Sequence, residues 1–272
     1  MRLYRTSGGA IVEHKSSFFT VDGDWDALVN HADLPAHLAR ACENRQGSAR
    51  IEGTILPPIG SQEVWAAGVT YHRSRSARMD ESSASGGGSF YDRVYDAPRP
   101  ELFFKAAHWR VRGSHDVVRI RRDAKWSVPE PEIVLCVNAS GAIIGITIGN
   151  DMSSRDIEGE NPLYLSQAKI YDGACSIGPG LLIADSLAAD VRIELVVSRF
   201  GVLVYDGHTT FGQMRRDPRE LVEFLYRETS FPYGAMLFTG TGIVPPDEFT
   251  LERGDEIRIY VPPIGSLINY VE

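Results

Sequence analysis

Short runs rich in β-branched residues recur along the chain, each bounded by Gly, Pro, Asn or Asp, and this pattern predicts strands. Two lie near the start, at residues 10–12 and 18–21. Further runs follow at 64–69, 101–104, 117–120, 133–137, 143–148, 180–183, 191–197 and 257–261. Leu28, Val29, His31, Leu34, Leu38 and Ala41 instead carry helix-like spacing over 24–42, with Pro35 breaking the stretch or starting a second helix. Asp217-Pro218-Arg219-Glu220 reads as an N-cap, a first-turn proline and a reciprocal capping glutamate; Leu221, Phe224 and Leu225 then form an apolar face. A shorter helix is expected near 163–168. Many strands and few helices predict a mostly β, α+β fold with a largely antiparallel core. Leu56-Pro57-Pro58-Ile59-Gly60 reads as a linker, which divides the chain into a small N-terminal α+β domain (1–58) and a large domain (59–272).

Composition narrows the function classes. The 272 residues are 43% hydrophobic and 24% charged, enough to bury a substantial core. The formal net charge of −8 argues against nucleic acid or an anionic membrane surface as the main partner. No apolar run approaches the ~20 residues of a membrane span. The first residues lack the apolar stretch of a secretory signal, so a cytoplasmic location is expected. Cys42, Cys136 and Cys175 are odd in number and widely spaced, which disfavours disulfides and cysteine-based zinc sites. Residues 82–89, Ser and Gly with one Ala, lack the flanking strand and Lys-bearing helix of a phosphate loop. They read as a surface loop or as a lid over a substrate.

The segment Val128-Pro129-Glu130-Pro131-Glu132-Ile133 carries the most chemistry. The prolines favour extended geometry, and alternate residues of a strand share a face, so Glu130 and Glu132 project the same way. Either both are solvated at a strand start, or they serve a hard cation that relieves their repulsion. Asp151, at the end of the apolar run 143–148 and its polar turn, could complete an all-oxygen triad suited to Mg²⁺, with Mn²⁺ equally acceptable. No His or Cys accompanies the pattern, which disfavours zinc. Lys169 is either a base beside the metal or an ion-pair partner of Asp172 or Asp156. Lys105 follows an apolar strand and is a candidate pocket residue, whereas Arg119 and Arg121 read as a solvated face. His14, His31, His37, His108, His115 and His208 lack metal-ligand spacing.

Taken in order, these strings resemble the fumarylacetoacetate hydrolase family. The matching segments are Pro129-Glu130-Pro131-Glu132, Asn150-Asp151-Met152-Ser153-Ser154-Arg155-Asp156, Lys169-Ile170-Tyr171-Asp172, Ile177-Gly178-Pro179 and Thr239-Gly240-Thr241-Gly242. Gly254-Asp255 and Ile264-Gly265-Ser266-Leu267-Ile268-Asn269 complete the set, which spans about residues 60 to 272. The resemblance implies a mixed β-sandwich roll of the fumarylacetoacetase C-terminal type as the catalytic domain, assembled as a homodimer or homotetramer. It implies Glu130, Glu132 and Asp151 as metal ligands and Lys169 as the active-site lysine. Arg155 becomes a polar group beside the substrate, and Thr241 the residue at the substrate's carboxylate end. Family members hydrolyse acylpyruvates, decarboxylate oxaloacetate, isomerise, or dehydrate 2-keto-3-deoxy sugar acids, all through a metal-chelated 2-keto acid and its enolate.

Hydrolytic members carry a water-activating His and Glu in an Asn-Tyr-x-x-His-Ala-x-Glu pattern. Aligned on Tyr71, this chain has Ser74 and Ala77 at those positions, with His72 nearby. Neither Ser nor Ala activates water at neutral pH. The runs 68–75, 95–105 and 157–164 resemble the branch that dehydrates 2-keto-3-deoxy pentonates. That resemblance implies conversion of 2-dehydro-3-deoxy-D-arabinonate, or its L counterpart, to 2,5-dioxopentanoate. Lys169 would remove a C3 proton, and Tyr71, Ser74 and Lys105 would line the substrate site. The acid for the leaving hydroxide is left between His72 and a water on Glu130 or Glu132. The alternative is an acylpyruvate or fumarylpyruvate hydrolase built on the same metal.

Overall fold

The computed structural model describes residues 1–71 and 93–272. The expectations for His72, Ser74, Ala77 and the 82–89 segment lie outside the described residues.

The chain opens with β1 (Arg2–Thr6), β2 (Gly9–His14) and β3 (Ser17–Val21), then α1 (Trp25–Val29) and α2 (Leu34–Cys42). Of the two readings of Pro35, the start of a second helix holds: the stretch is two helices, each with its own aspartate cap. Asp24 accepts from the Asp26 and Ala27 N–H groups; Asp33 accepts from the Ala36 N–H, with Pro35 in the first turn of α2. After β4 (Ile55–Leu56) come β5 (Glu63–Gly68), β6 (Glu101–Ala106), β7 (Val117–Val118), β8 (Ser127–Val137) and β9 (Ile143–Ser154). Two short helices, α3 (Arg155–Glu160) and α4 (Leu165–Lys169), lead to β10 (Cys175–Leu182), β11 (Arg192–Arg199) and β12 (Val202–Thr210). The chain closes with α5 (Pro218–Tyr226), β13 (Ala235–Phe238), β14 (Asp255–Val261) and β15 (Gly265–Val271).

The strands form two sheets. The larger runs β3-β2-β1-β10-β9-β8-β13-β5-β6, with β4 beside β1; the smaller runs β12-β11-β14-β15-β7. Pairing is antiparallel except at β13–β5 and β15–β7. The expected mostly β architecture is therefore present. The boundary expected after residue 58 falls between β4 and β5, and the large sheet crosses it, since β1 pairs with β10. The strand expected at 117–120 stops after Val118, where the Arg119 N–H turns to the Gly173 carbonyl. Asp217 caps α5 as expected, but Glu220 pairs with Arg216 at 3.3 Å instead of reaching back to the cap.

Both faces of the large sheet are buried. Ile133, Leu135, Ile146, Ile148 and Met152 pack with Ile193, Leu195, Ile257, Ile259 and Leu267 of the smaller sheet. The alternate residues Val134, Cys136, Cys175, Ile177 and Phe238 face the other way, in one core with Trp25, Leu28, Leu34 and Leu38 of the N-terminal helices. Glu130 and Glu132 share the period-two face of Val134 and Cys136, so the strand aims its acids into the second core.

Candidate active site

β8 is buried over its full length, and this overturns the reading of Glu130 and Glu132 as a solvated strand start; both side chains are buried. Two prolines survive inside this strand because β13 pairs with β8 only from Val134 onward, leaving Pro129 and Pro131 where β8 has β9 alone as neighbour. Register then does the assembly. Glu130 lies directly opposite Asp151 on β9, and Glu132 opposite Gly149, so all three carboxylates rise from one face. One oxygen from each lies within 4.8 Å of the others.

Three buried carboxylates at that separation repel strongly unless they are compensated. Each has a defined partner. Lys169, the last residue of α4, donates from Nζ to Glu130 Oε2 at 2.8 Å, Asp151 Oδ2 at 3.2 Å and Ser153 Oγ at 2.6 Å. Arg155, at the start of α3, contacts Glu130 Oε1 at 2.7 Å. Glu132 Oε2 accepts the Gly240 N–H at 2.5 Å. Gly240 suits that role: its φ is +89°, and a Cβ there would sit 2.1 Å from Thr70 Oγ1. Burial first, then the charges of Asp151 and Glu130, hold the Glu132 carboxyl well above the ordinary carboxylate range.

The sequence reading of Lys169 left open a pairing with Asp172 or Asp156. Asp172 pairs instead with Arg110 at 3.4 Å, and Asp156 accepts the Lys125 N–H at 2.6 Å. Thr241 lines the cavity, with its hydroxyl donating to the Ile243 carbonyl and accepting the Ile243 N–H. Tyr71 is buried; burial and the nearby Glu132 charge push its phenol upward. Lys105, expected to line the pocket, lies behind Asp151, contacting Oδ1. Arg121, expected on a solvated face, is held by Asp123 and the Gln167 carbonyl, because the chain leaves β7 before reaching it.

The cavity over the triad is also lined by Glu101, Phe103, Glu158 and Leu165. Sequence reasoning did not select Glu101, Ser153 or Glu158. For two of them a signal exists: Glu101, Phe103 and Lys105 alternate along β6, and Ser153 lies two residues beyond Asp151. An adjoining open pocket, lined by Val94, Pro100, Leu102 and Pro162, shares Glu101 with this cavity.

The donor set is all oxygen, buried, convergent and free of soft ligands, which fits a hard divalent cation such as Mg²⁺ or Mn²⁺. The model of the fumarylacetoacetate (FAA) hydrolase C-terminal domain matches residues 88–272. The chain belongs to the fumarylacetoacetate hydrolase family. Among its relatives is a probable 2-keto-3-deoxyxylonate dehydratase of Haloferax volcanii, 44% identical over 79% of this chain and 73% of the relative. The 2-dehydro-3-deoxy-D-arabinonate dehydratase of Saccharolobus solfataricus is 39% identical over 80% of this chain and 74% of its own. A solved structure of 2-keto-3-deoxy-D-arabinonate dehydratase complexed with magnesium and 2,5-dioxopentanoate superposes with a TM-score of 0.82, at 32% identity, over 100% of this chain and 99% of that one. No helix among the described residues is long and apolar enough to cross a membrane.

Proposed function

We propose that this family member is a metal-dependent hydro-lyase acting on 2-keto-3-deoxy pentonates, converting 2-dehydro-3-deoxy-D-arabinonate to 2,5-dioxopentanoate and water. The observation that carries this reading is the placement of one amine, Lys169 Nζ, against two of three convergent buried carboxylates. Relatives at 44% and 39% identity bear dehydratase names, and the magnesium and 2,5-dioxopentanoate complex of a structural neighbour supports both cofactor and product.

Glu130, Glu132 and Asp151 would hold the Mg²⁺. Bound there, the ion supplies Lewis-acid polarisation of a chelated 2-keto carboxylate and so acidifies its C3 hydrogens. Lys169, as the neutral amine, would accept a C3 proton at Nζ, and Ser153 and Glu130 fix where that nitrogen points. The C3–H electron pair forms the C3–C4 double bond as the C4–O bond breaks, and the hydroxide departs with a proton from an acid in the cavity. Glu101 and Glu158 line that cavity and join His72 and a carboxylate-bound water as candidates for the acid. A proton shift from C5 to C3 gives the C4=C5 enol, and movement of its hydroxyl proton to C4 yields the aldehyde. Arg155 and Thr241, both lining the cavity, would bind and orient the substrate's polar groups. Tyr71, buried within electrostatic reach of Glu132, is a further candidate beside the substrate. We propose a cytoplasmic location and assembly as a homodimer or homotetramer; light scattering of the purified protein tests the assembly.

The direct test incubates the purified protein and Mg²⁺ with 2-dehydro-3-deoxy-D-arabinonate, its L counterpart and an acylpyruvate. Disappearance of the D compound with formation of 2,5-dioxopentanoate is expected. Cleavage of the acylpyruvate alone would replace the dehydratase reading with the hydrolase one.

A further inference from the structure

Lys105 is buried with no side-chain exposure, and it comes from a distant strand. β6 and β9 stand at the two ends of the run β9-β8-β13-β5-β6, so their side chains meet only because the sheet rolls and brings their inner faces together. Across that interior the Lys105 ammonium contacts Asp151 Oδ1, donates to the Lys169 carbonyl at 2.5 Å, and reaches the Met152 carbonyl at 3.3 Å. The two carbonyls take two of the ammonium's three donors, its ion pair turns the charge toward Asp151, and Lys105 is not among the described residues that line the cavity.

We propose that Lys105 is a positioning residue, a resident cation that holds Asp151 and the end of α4 in their working places before any metal arrives. Two features carry this. Asp151 is clamped from both sides, with Oδ1 on Lys105 and Oδ2 on Lys169. The helix that presents Lys169 is only five residues long, and its last carbonyls have no partner within the helix. Lys105 captures the carbonyl of Lys169 itself, and thereby fixes the point from which the reactive side chain departs. Charge points the same way. Asp151 and Glu130 stand against Lys105, Lys169 and Arg155 in one buried cluster. Removing Lys105 takes the cation off Asp151 Oδ1 in the metal-free protein, a loss that a divalent ion would offset.

The inference rests on the triad being a metal site, and its main test needs no substrate. Lys105→Met and Lys105→Gln are compared with the parent by thermal unfolding in chelator and in saturating Mg²⁺. In chelator the Met variant is expected to melt well below the parent, and its gain in Tm on adding Mg²⁺ is expected to exceed the parent's. Gln keeps a donor for the Lys169 carbonyl but no charge. It is expected to share the metal-free instability while recovering part of the turnover lost in Met. With Mg²⁺ saturating, the Met variant is expected to lose about 10–100-fold in kcat, as removal of a group supporting a metal ligand typically does, with KM near the parent's. Equal Tm gains in variant and parent, or a defect confined to KM, would overturn the proposal; the latter would return Lys105 to substrate binding. Should neither variant fold, amide exchange of the parent decides. Protection over residues 150–153 and 166–170 that matches in chelator and in Mg²⁺ supports a preassembled site. Protection gained only on adding Mg²⁺ overturns it. A parent whose Tm ignores Mg²⁺ sinks the metal reading beneath the proposal as well.

Discussion

The β8–β9 hairpin buries Glu130, Glu132 and Asp151, while the β11–β12 hairpin leaves Val202, Leu203 and Val204 at 66, 56 and 39% exposure. Both are antiparallel pairs in continuous register over most of their length. Their difference lies in what surrounds them. β8 and β9 are interior strands covered on both faces, whereas β12 is an edge with solvent beyond it. Apolar residues on an edge are inexpensive, since much of any protein surface is apolar. Carboxylates in an interior are tolerated only with cations or hydrogen-bond donors around them. The inverted polarity of the first hairpin therefore marks chemistry, and that of the second marks nothing beyond its position.

The comparison predicts unequal consequences for mutation. The largest belongs to Lys169. Lys169→Ala is expected to lower kcat by about 10²–10⁴-fold, the usual contribution of a general base, while calorimetric titration still shows Mg²⁺ binding. Retained turnover would remove Lys169 from its role. Next comes Asp255, a buried carboxylate that only fixes structure. It accepts Arg199 Nε at 2.8 Å and Nη2 at 3.0 Å where β14 meets the end of β11. Asp255→Ala is expected to lower stability by about 3 kcal/mol in urea unfolding, the lower end for breaking a buried pair because Arg199 retains some contact with water. An unchanged midpoint would show that the pair contributes little.

A third expectation concerns pH. Glu132 is held above the ordinary carboxylate range, so the folded, metal-free protein binds a proton more tightly than the unfolded chain does. The sign follows: that stabilisation is present at pH below the unfolded value and is lost as pH rises through the folded one. Metal-free Tm is expected to decline over that interval, and Mg²⁺ to reduce the decline, because the ionised carboxylate then has a partner. A Glu132→Gln variant with the same pH slope would assign the effect elsewhere. The smallest effect belongs to the exposed edge, where Val202→Thr is expected to change stability by no more than about 0.5 kcal/mol. A larger loss would mean that β12 is covered by a neighbour in solution.

Local chemistry made much of this legible in the sequence. Period-two alternation put Glu130 and Glu132 on one face, and Asp217-Pro218 announced α5 at its first residue. Antiparallel pairing followed from short β-branched runs between turns. What escaped reading depends on distance in the chain. The Lys105 contact joins strands 47 residues apart through the roll of a sheet, and no local pattern encodes that closure. Likewise, β1 reaches β10 across most of the chain, so the N-terminal hairpin extends the large sheet although Pro57-Pro58 looks like a break. The split between α1 and α2 was half visible, in Pro35; the second cap, Asp33, decided it.

The account turns on a divalent cation seated among Glu130, Glu132 and Asp151. Anomalous diffraction from crystals grown with millimolar Mn²⁺ reports on that directly. The account predicts one strong peak within coordination distance of an oxygen from each of the three, with Lys169 Nζ beside it. A peak elsewhere, or none, with the carboxylates held by Lys105, Lys169, Arg155 and the Gly240 N–H alone, would contradict it.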